Sequence, residues 1–176
     1  MGFFNKFSFN KKREDTDLVF SVAYENNVIY SPLKGKLLPL DEVPDEMFAS
    51  KTLGDGLAIY PYMGKLYSPV SGKVTALFPT NHAVGMINEA GMEILLHIGI
   101  DTVSMNGDGF ITHVSNDEEV KVGQLLVEFD ITKIIEAGLN PCVMLIVINH
   151  QKFGTLVVEK QTEVDCLEKI ISFSNG

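Results

Sequence analysis

The chain has 176 residues, 45% of them hydrophobic and 21% charged, a composition that builds a folded core rather than a disordered chain. Its 14 Lys and Arg against 23 Asp and Glu leave a net charge of -9, the wrong sign for a nucleic-acid partner. The longest apolar run, Val143 to Ile148, is far short of the roughly 20 residues that cross a bilayer as a helix. The two cysteines, Cys142 and Cys166, form neither a CxxC pair nor a disulfide framework, which points to a reducing, cytoplasmic setting.

Residues 1–17 read as a separate segment. Phe3, Phe4 and Phe7 fall on one helical face with Phe9 just beyond, and Lys6, Lys11, Lys12 and Arg13 concentrate positive charge in an otherwise acidic chain. Such a segment is either a peripheral contact with the anionic inner face of a membrane or a soluble tail. It has no apolar h-region of a secretory signal, and Lys6 stands where a myristoylation motif needs Ser or Thr. The remainder, 18–176, reads as a single domain. From about Tyr30 onward, Pro, Gly and Asp punctuate short runs of Val, Ile, Leu and Phe, the pattern of an all-β, antiparallel sandwich or barrel with little helix.

Two internal features refine this. Tyr30-Ser-Pro-Leu-Lys-Gly-Lys-Leu37 matches Tyr67-Ser-Pro-Val-Ser-Gly-Lys-Val74 at five of eight positions, which suggests a duplicated β unit with a Pro-Gly corner; a weaker version of the same turn and strand lies at 118–129. A short helix is expected over Ile131 to Gly138, with Asp130 as N-cap and Gly138 as terminator. The tail from Glu163 to Phe173 fits a helix or a strand equally well.

The stretch from Phe78 to Thr102 carries the chemistry. Asn88-Glu-Ala-Gly91 reads as a four-residue hairpin loop between two apolar runs. A ladder closed by that loop sets Ile87 opposite Met92 and therefore His82 opposite His97, on one face, with Cβ atoms about 4.5–5.5 Å apart. In this register Ile94, Leu96, Ile98 and Ile100 line the core. Thr80 shares the histidine face opposite Gly99, with Phe78, Val84 and Leu95 as an apolar surround; a slip of one residue would part the histidines. Three readings of such a pair remain open on the pattern alone: a phosphoryl acceptor and its stabiliser, two histidines packed on a sheet, or an incidental zinc pair without a third ligand. A neutral imidazole held at one ring nitrogen presents the other as an oriented nucleophile. His113 and His150 have no partner motif and read as surface residues.

These residues resemble a known family, the glucose-type enzyme IIA of the bacterial phosphoenolpyruvate-dependent sugar phosphotransferase system. The matching segments are Glu42-Val-Pro-Asp-Glu-Met-Phe48, Leu53-Gly-Asp-Gly-Leu-Ala-Ile59, Phe78-Pro-Thr-Asn-His-Ala83, Glu93-Ile-Leu-Leu-His-Ile-Gly-Ile-Asp-Thr-Val103, Gly107-Asp-Gly-Phe110 and Val120 to Asp130. The resemblance implies a compact antiparallel β-sandwich of the duplicated hybrid, barrel-sandwich type. It implies that His97 accepts a phosphoryl group from the phosphocarrier HPr and passes it to a cysteine of a sugar-specific enzyme IIB domain of a IICB permease. By position, His82 would stabilise the phosphorylated state, Thr80 would orient His82, and the Gly99 carbonyl would hold the unreactive nitrogen of His97. Phe48, Leu53, Phe78, Leu95 and Val103 would form the docking ring, with Asp45 and Asp101 at its edge. No cofactor is required; zinc at the histidine pair is conceivable but not predicted. Regulated permeases or kinases are further partners that the resemblance allows, and the Phe-bearing basic tail is similar to the membrane-associating N-terminus of some members.

Departures from the family pattern fall at Glu46 and Thr52, at Asn140-Pro-Cys-Val-Met-Leu145 and at Val164-Asp-Cys-Leu-Glu-Lys169; the first two put partner preference in question. A biotinyl or lipoyl carrier would need a lysine displayed at a hairpin tip, and no lysine here has that setting. A zinc peptidase of similar architecture would need an HxH pair, whereas His97 is followed by Ile98-Gly99. A regulator that only binds other proteins is an addition to the carrier reading rather than a rival.

Overall fold

The computed structural model describes residues 25–159 and 162–174; the segment 1–17 lies outside them. Fourteen strands run through the described residues: β1 (Val28–Tyr30), β2 (Gly35–Leu38), β3 (Asp55–Pro61), β4 (Lys65–Tyr67), β5 (Gly72–Leu77), β6 (Ala83–Asn88), β7 (Glu93–Ile98), β8 (Phe110–Thr112), β9 (Glu119–Val120), β10 (Leu125–Phe129), β11 (Val143–Val147), β12 (Thr155–Val158), β13 (Glu163–Val164) and β14 (Lys169–Ser174). Two short helices, α1 (Glu46–Ala49) and α2 (Ile131–Glu136), interrupt them. The strands form an eight-stranded sheet in the order β13-β2-β3-β11-β7-β6-β5-β9 and two three-stranded sheets, β1-β14-β12 and β4-β10-β8. Every pairing is antiparallel.

One face of the large sheet packs on both small sheets. Leu57, Ile59, Val84, Met86, Ile94, Leu96, Ile98, Val143 and Leu145 from the large sheet share a buried cluster with Ile29, Leu66, Leu126, Phe129, Ile170 and Phe173. Alternation along a strand then sends the intervening residues outward. Ala58, Met144 and Ile146 form a second cluster on the opposite face, with Leu40, Val43, Phe48, Ile100 and Cys142. This face is covered by α1 and the turn of 3-10 helix before it. His97 belongs to the same face and sits at the edge of that cover.

The repeated corner is a structural duplication. Tyr30 N–H donates to the Pro69 carbonyl (3.1 Å) and Tyr67 N–H donates to the Pro32 carbonyl (2.8 Å), so the two copies clasp each other reciprocally. The hydroxyls of Ser31 and Ser68 each donate two residues onward, to the carbonyls of Leu33 and Val70. Each corner also receives a matching segment. Gly123 N–H donates to the Ser68 carbonyl and Leu167 N–H to the Ser31 carbonyl, both at 2.9 Å. Strand β9 pairs with β5 as β13 pairs with β2. The segment Val164 to Lys169 is thus the counterpart of Val120 to Leu125, and the tail is strand, not helix.

Helix α2 forms as its sequence predicts: the Asp130 side chain accepts from Lys133 N–H, and Gly138 takes the left-handed φ of 76° that ends it.

Candidate functional site

The hairpin that carries the histidines differs from the sequence reading in its register. Ile87 stands opposite Glu93 and Ala83 opposite His97, one residue from the predicted pairing. The loop has three residues, Glu89 to Gly91, and not four. Asn88 and Met92 close it, with Asn88 N–H donating to the Met92 carbonyl and the Asn88 side chain accepting from Met92 N–H. Gly91 supplies the left-handed residue, φ 82°, that a three-residue hairpin loop requires. Two consequences correct the predicted constellation. Val84 faces the core, fully buried opposite Leu96, and does not surround the site. Thr80 lies in a turn before β6 and does not stand on a strand opposite Gly99.

The histidines meet nonetheless, because His82 is not bound by strand alternation. Phe78 N–H donates to the Ala83 carbonyl and Asn81 N–H to the Phe78 carbonyl, so residues 79–82 are the loop between β5 and β6. Asn81 has a φ of 57°, which turns the chain just before His82. The His82 carbonyl still accepts from Ile98 N–H (2.8 Å), while its side chain leaves the core face and swings over β7. The small side chain of Ala83, directly opposite His97, leaves room for this. The ring centroids of His82 and His97 are 5.0 Å apart at 78°.

Each ring is held at one nitrogen. His97 Nδ1 lies 2.8 Å from the Gly99 carbonyl oxygen. A carbonyl can only accept, so Nδ1 carries the proton and Nε2 keeps the lone pair. His82 Nδ1 lies 2.5 Å from Thr80 Oγ1, a group able to donate or accept. Phe48 packs on His97 with centroids 5.2 Å apart, and Phe78 meets His82 at 5.7 Å. His82 is 5% exposed, while His97 is half-buried. Burial pushes the His82 pKa below the usual value, and the neighbouring His97 adds to this. Burial also lowers that of His97, opposed by the Gly99 carbonyl and by the carboxylates of Asp45 and Asp101. Both rings are therefore neutral at pH 7, the state in which an imidazole is a nucleophile.

The docking residues implied by the resemblance differ in exposure. Phe78 and Val103 are exposed, at 40% and 54%, and Asp101 is exposed close before Val103 in sequence, in a left-handed conformation with φ 58°. Leu53 and Leu95 are half-buried and pack on the second cluster. Phe48 is buried and forms the floor beneath His97 rather than part of a rim. Asp45 is the N-cap of α1, accepting from Met47 N–H at 2.9 Å. The sequence reading missed Met47, which is 57% exposed on the same helix.

It also missed the support behind His97. Gly99 N–H donates to the Cys142 carbonyl and Ile100 N–H to the Asn140 carbonyl, both at 2.9 Å. The Asn140 side chain accepts in turn from Cys142 N–H, so this departure from the family pattern lies at the back of the site. Burial pushes the Cys142 thiol up to about 11, which leaves it inert. His113 pairs with Glu128 at the surface, 2.9 Å apart. Among the described residues no group of three or more His, Cys, Asp or Glu could hold a metal ion, and no helix is long and apolar enough to cross a membrane. A groove of about 900 Å³ lies elsewhere, lined by residues such as Leu37, Leu57 and Leu156, and contains no histidine.

The model of one protein family, described as phosphoenolpyruvate-dependent sugar phosphotransferase system, EIIA 1, matches residues 27–153. The chain belongs to that family. It is 43% identical over 150 residues to a PTS system beta-glucoside-specific EIIBCA component of Halalkalibacterium halodurans, covering 85% of this chain and 24% of that protein. The chain thus spans about a quarter of the length of that relative. Among solved structures it is similar to the glucose permease IIA from Mycoplasma capricolum, with 38% identity and a TM-score of 0.79, covering 86% of this chain and 98% of that one. The fold is accordingly the β-sandwich of this EIIA family, and the chain is a component of a sugar phosphotransferase system.

Proposed function

We propose that this EIIA domain is a phosphocarrier: His97 accepts a phosphoryl group from phospho-HPr and passes it to a cysteine of a glucose-type, sugar-specific enzyme IIB. The observation that carries this reading is the Gly99 carbonyl on His97 Nδ1, which leaves the Nε2 lone pair free in a half-buried position. In the acceptance step the bond from Nε2 to phosphorus forms as the bond from phosphorus to the donor breaks, and the leaving group keeps that electron pair. His82, neutral and held by Thr80 at Nδ1, then turns Nε2–H towards the phosphoryl oxygens and stabilises their charge, while Thr80 fixes the ring. Such transfer depends mainly on alignment and charge stabilisation and needs no resident metal or other cofactor.

The exposed apolar side chains of Phe78 and Val103 supply the docking rim, with Asp101 and Asp45 favouring a partner that is positively charged around its own site. Transfer from HPr and to enzyme IIB places the domain at the cytoplasmic side of the membrane. Incubation with phosphoenolpyruvate, enzyme I and HPr, followed by mapping of the modified residue, tests the reading. Acid-labile, alkali-stable phosphate on His97 is expected, and its appearance on any other residue overturns it.

A further inference from the structure

We propose that Thr102 is a positioning residue for His97, fixing through the backbone which ring nitrogen of the histidine carries the proton. Thr102 is fully buried, 0% exposed, and none of the steps above uses it. Its hydroxyl donates to the carbonyl of Ile98. Its methyl occupies the place where a side chain on Gly99 would begin: a Cβ there would lie 2.3 Å from Thr102 Cγ2. Residue 102 therefore grips the chain on both sides of the Ile98–Gly99 peptide bond, with one polar and one apolar contact.

That peptide governs the geometry of the imidazole. Gly99 has a φ of 74°, which folds its own carbonyl back onto His97 Nδ1. The two peptide groups concerned are pinned at four points. The Ile98 carbonyl receives the Thr102 hydroxyl, and Gly99 N–H donates to the Cys142 carbonyl. Ile100 N–H donates to the Asn140 carbonyl, and the Gly99 carbonyl receives His97 Nδ1–H. Two of the pins use a side chain, and of these the Thr102 hydroxyl is the one that can be removed while His97 itself is kept. Ile98 is itself fully buried. Without the hydroxyl its carbonyl has no water to turn to, and the peptide must rotate to find a donor. Rotation carries the Gly99 carbonyl away from His97. An imidazole released from such an acceptor is free to place its proton on Nε2, the nitrogen that must offer a lone pair.

The consequence for phosphoryl acceptance rests on the function proposed above; the tautomer does not. The experiment is long-range proton–nitrogen NMR on the full, unphosphorylated chain with labelled histidine. The wild type is expected to show His97 protonated at Nδ1 and bare at Nε2. Thr102→Val, nearly the same shape without the hydroxyl, is expected to show a population protonated at Nε2 and an acceptance rate from phospho-HPr lower by about tenfold. Thr102→Ser should restore both. A folded Thr102→Val chain with the wild-type tautomer overturns the proposal. If the valine variant does not fold, Thr102→Cys, with a weak donor of similar size, should give an intermediate tautomer population, and an unchanged tautomer there overturns it equally. A wild-type chain that takes no phosphate from HPr would refute the carrier reading while leaving the tautomer measurement to decide the role of Thr102.

Discussion

The imidazoles of His82 and His97 meet nearly at right angles, at 78° with centroids 5.0 Å apart, and are tethered by chemically different groups. A backbone carbonyl holds Nδ1 of His97, which admits one tautomer, whereas a hydroxyl holds Nδ1 of His82, which admits both. The pair is therefore asymmetric by construction. One ring is fixed as a nucleophile and the other can present Nε2–H as a donor.

This asymmetry separates the effects of substitution. His97→Ala should abolish phosphate acceptance in the reconstituted phosphotransfer assay. His82→Gln should still accept but pass the group on poorly, and Thr80→Val should show a weaker version of the same defect, on the order of tenfold. Equal loss of acceptance and onward transfer in His82→Gln would count against its assignment as stabiliser. An unaffected transfer rate in Thr80→Val would count against the tether.

Much of this was legible in the sequence, but for uneven reasons. The strands, the duplicated corner and the Asp130-capped helix α2 follow from local turn and capping chemistry, which a short window contains. The histidine register does not. Asn88-Glu-Ala-Gly91 fits a four-residue loop, and what decides for three is the Asn88–Met92 closure, a contact invisible without coordinates. The pairing of His82 with His97 is right for a different reason from alternation: a left-handed Asn81 frees His82 from the ladder. Thr102 stayed hidden because its partners, the Ile98 carbonyl and the Gly99 Cα, are backbone atoms. No side-chain pattern reports them.

Acidification should act on function and stability in the same direction. Both histidines have pKa values below the ordinary 6.5, so the unfolded chain binds protons more readily than the native one between the native values and 6.5. The native state is then penalised as pH falls through that window, and the stability contributed by the neutral rings is complete above about pH 6.5. Acceptance rates follow the native titration, so they should stay flat through pH 6.5 and fall only as the pH approaches the native values below it, in steps that belong to the pair rather than to one residue. Urea midpoints and initial rates measured from pH 5 to 8 check both. A rate that rises on acidification would refute the neutral-nucleophile assignment.

Residues 1–17 make a prediction of their own from charge alone. Lys6, Lys11, Lys12 and Arg13 lie in this segment of an acidic chain, and each cation near an anionic bilayer contributes roughly 1 kcal/mol. Removing the segment should abolish pelleting with anionic vesicles and leave the rate of phosphate acceptance unchanged. Vesicle binding that survives the deletion would remove the anchor reading.

The duplication gives a test of backbone conformation that inverts the usual ranking of Gly and Ala. Gly123 and Leu167 occupy equivalent corners, with φ values of 84° and 66°, and make the same bond to Ser68 and Ser31. The first is free of a Cβ penalty. The second bears a left-handed cost of about 1–2 kcal/mol, offset by burying its side chain, 8% exposed, beside Val28 and Tyr30. Leu167→Ala loses the burial and keeps the cost, while Leu167→Gly loses the burial and sheds the cost. Both variants should be less stable than the wild type, but the glycine variant should be the more stable of the two, by roughly 1 kcal/mol once its extra chain entropy is counted. Chemical denaturation of the three proteins measures the order. An alanine variant at least as stable as the glycine variant would mean that the chain at 167 is not left-handed, and the equivalence of the two corners would fail with it.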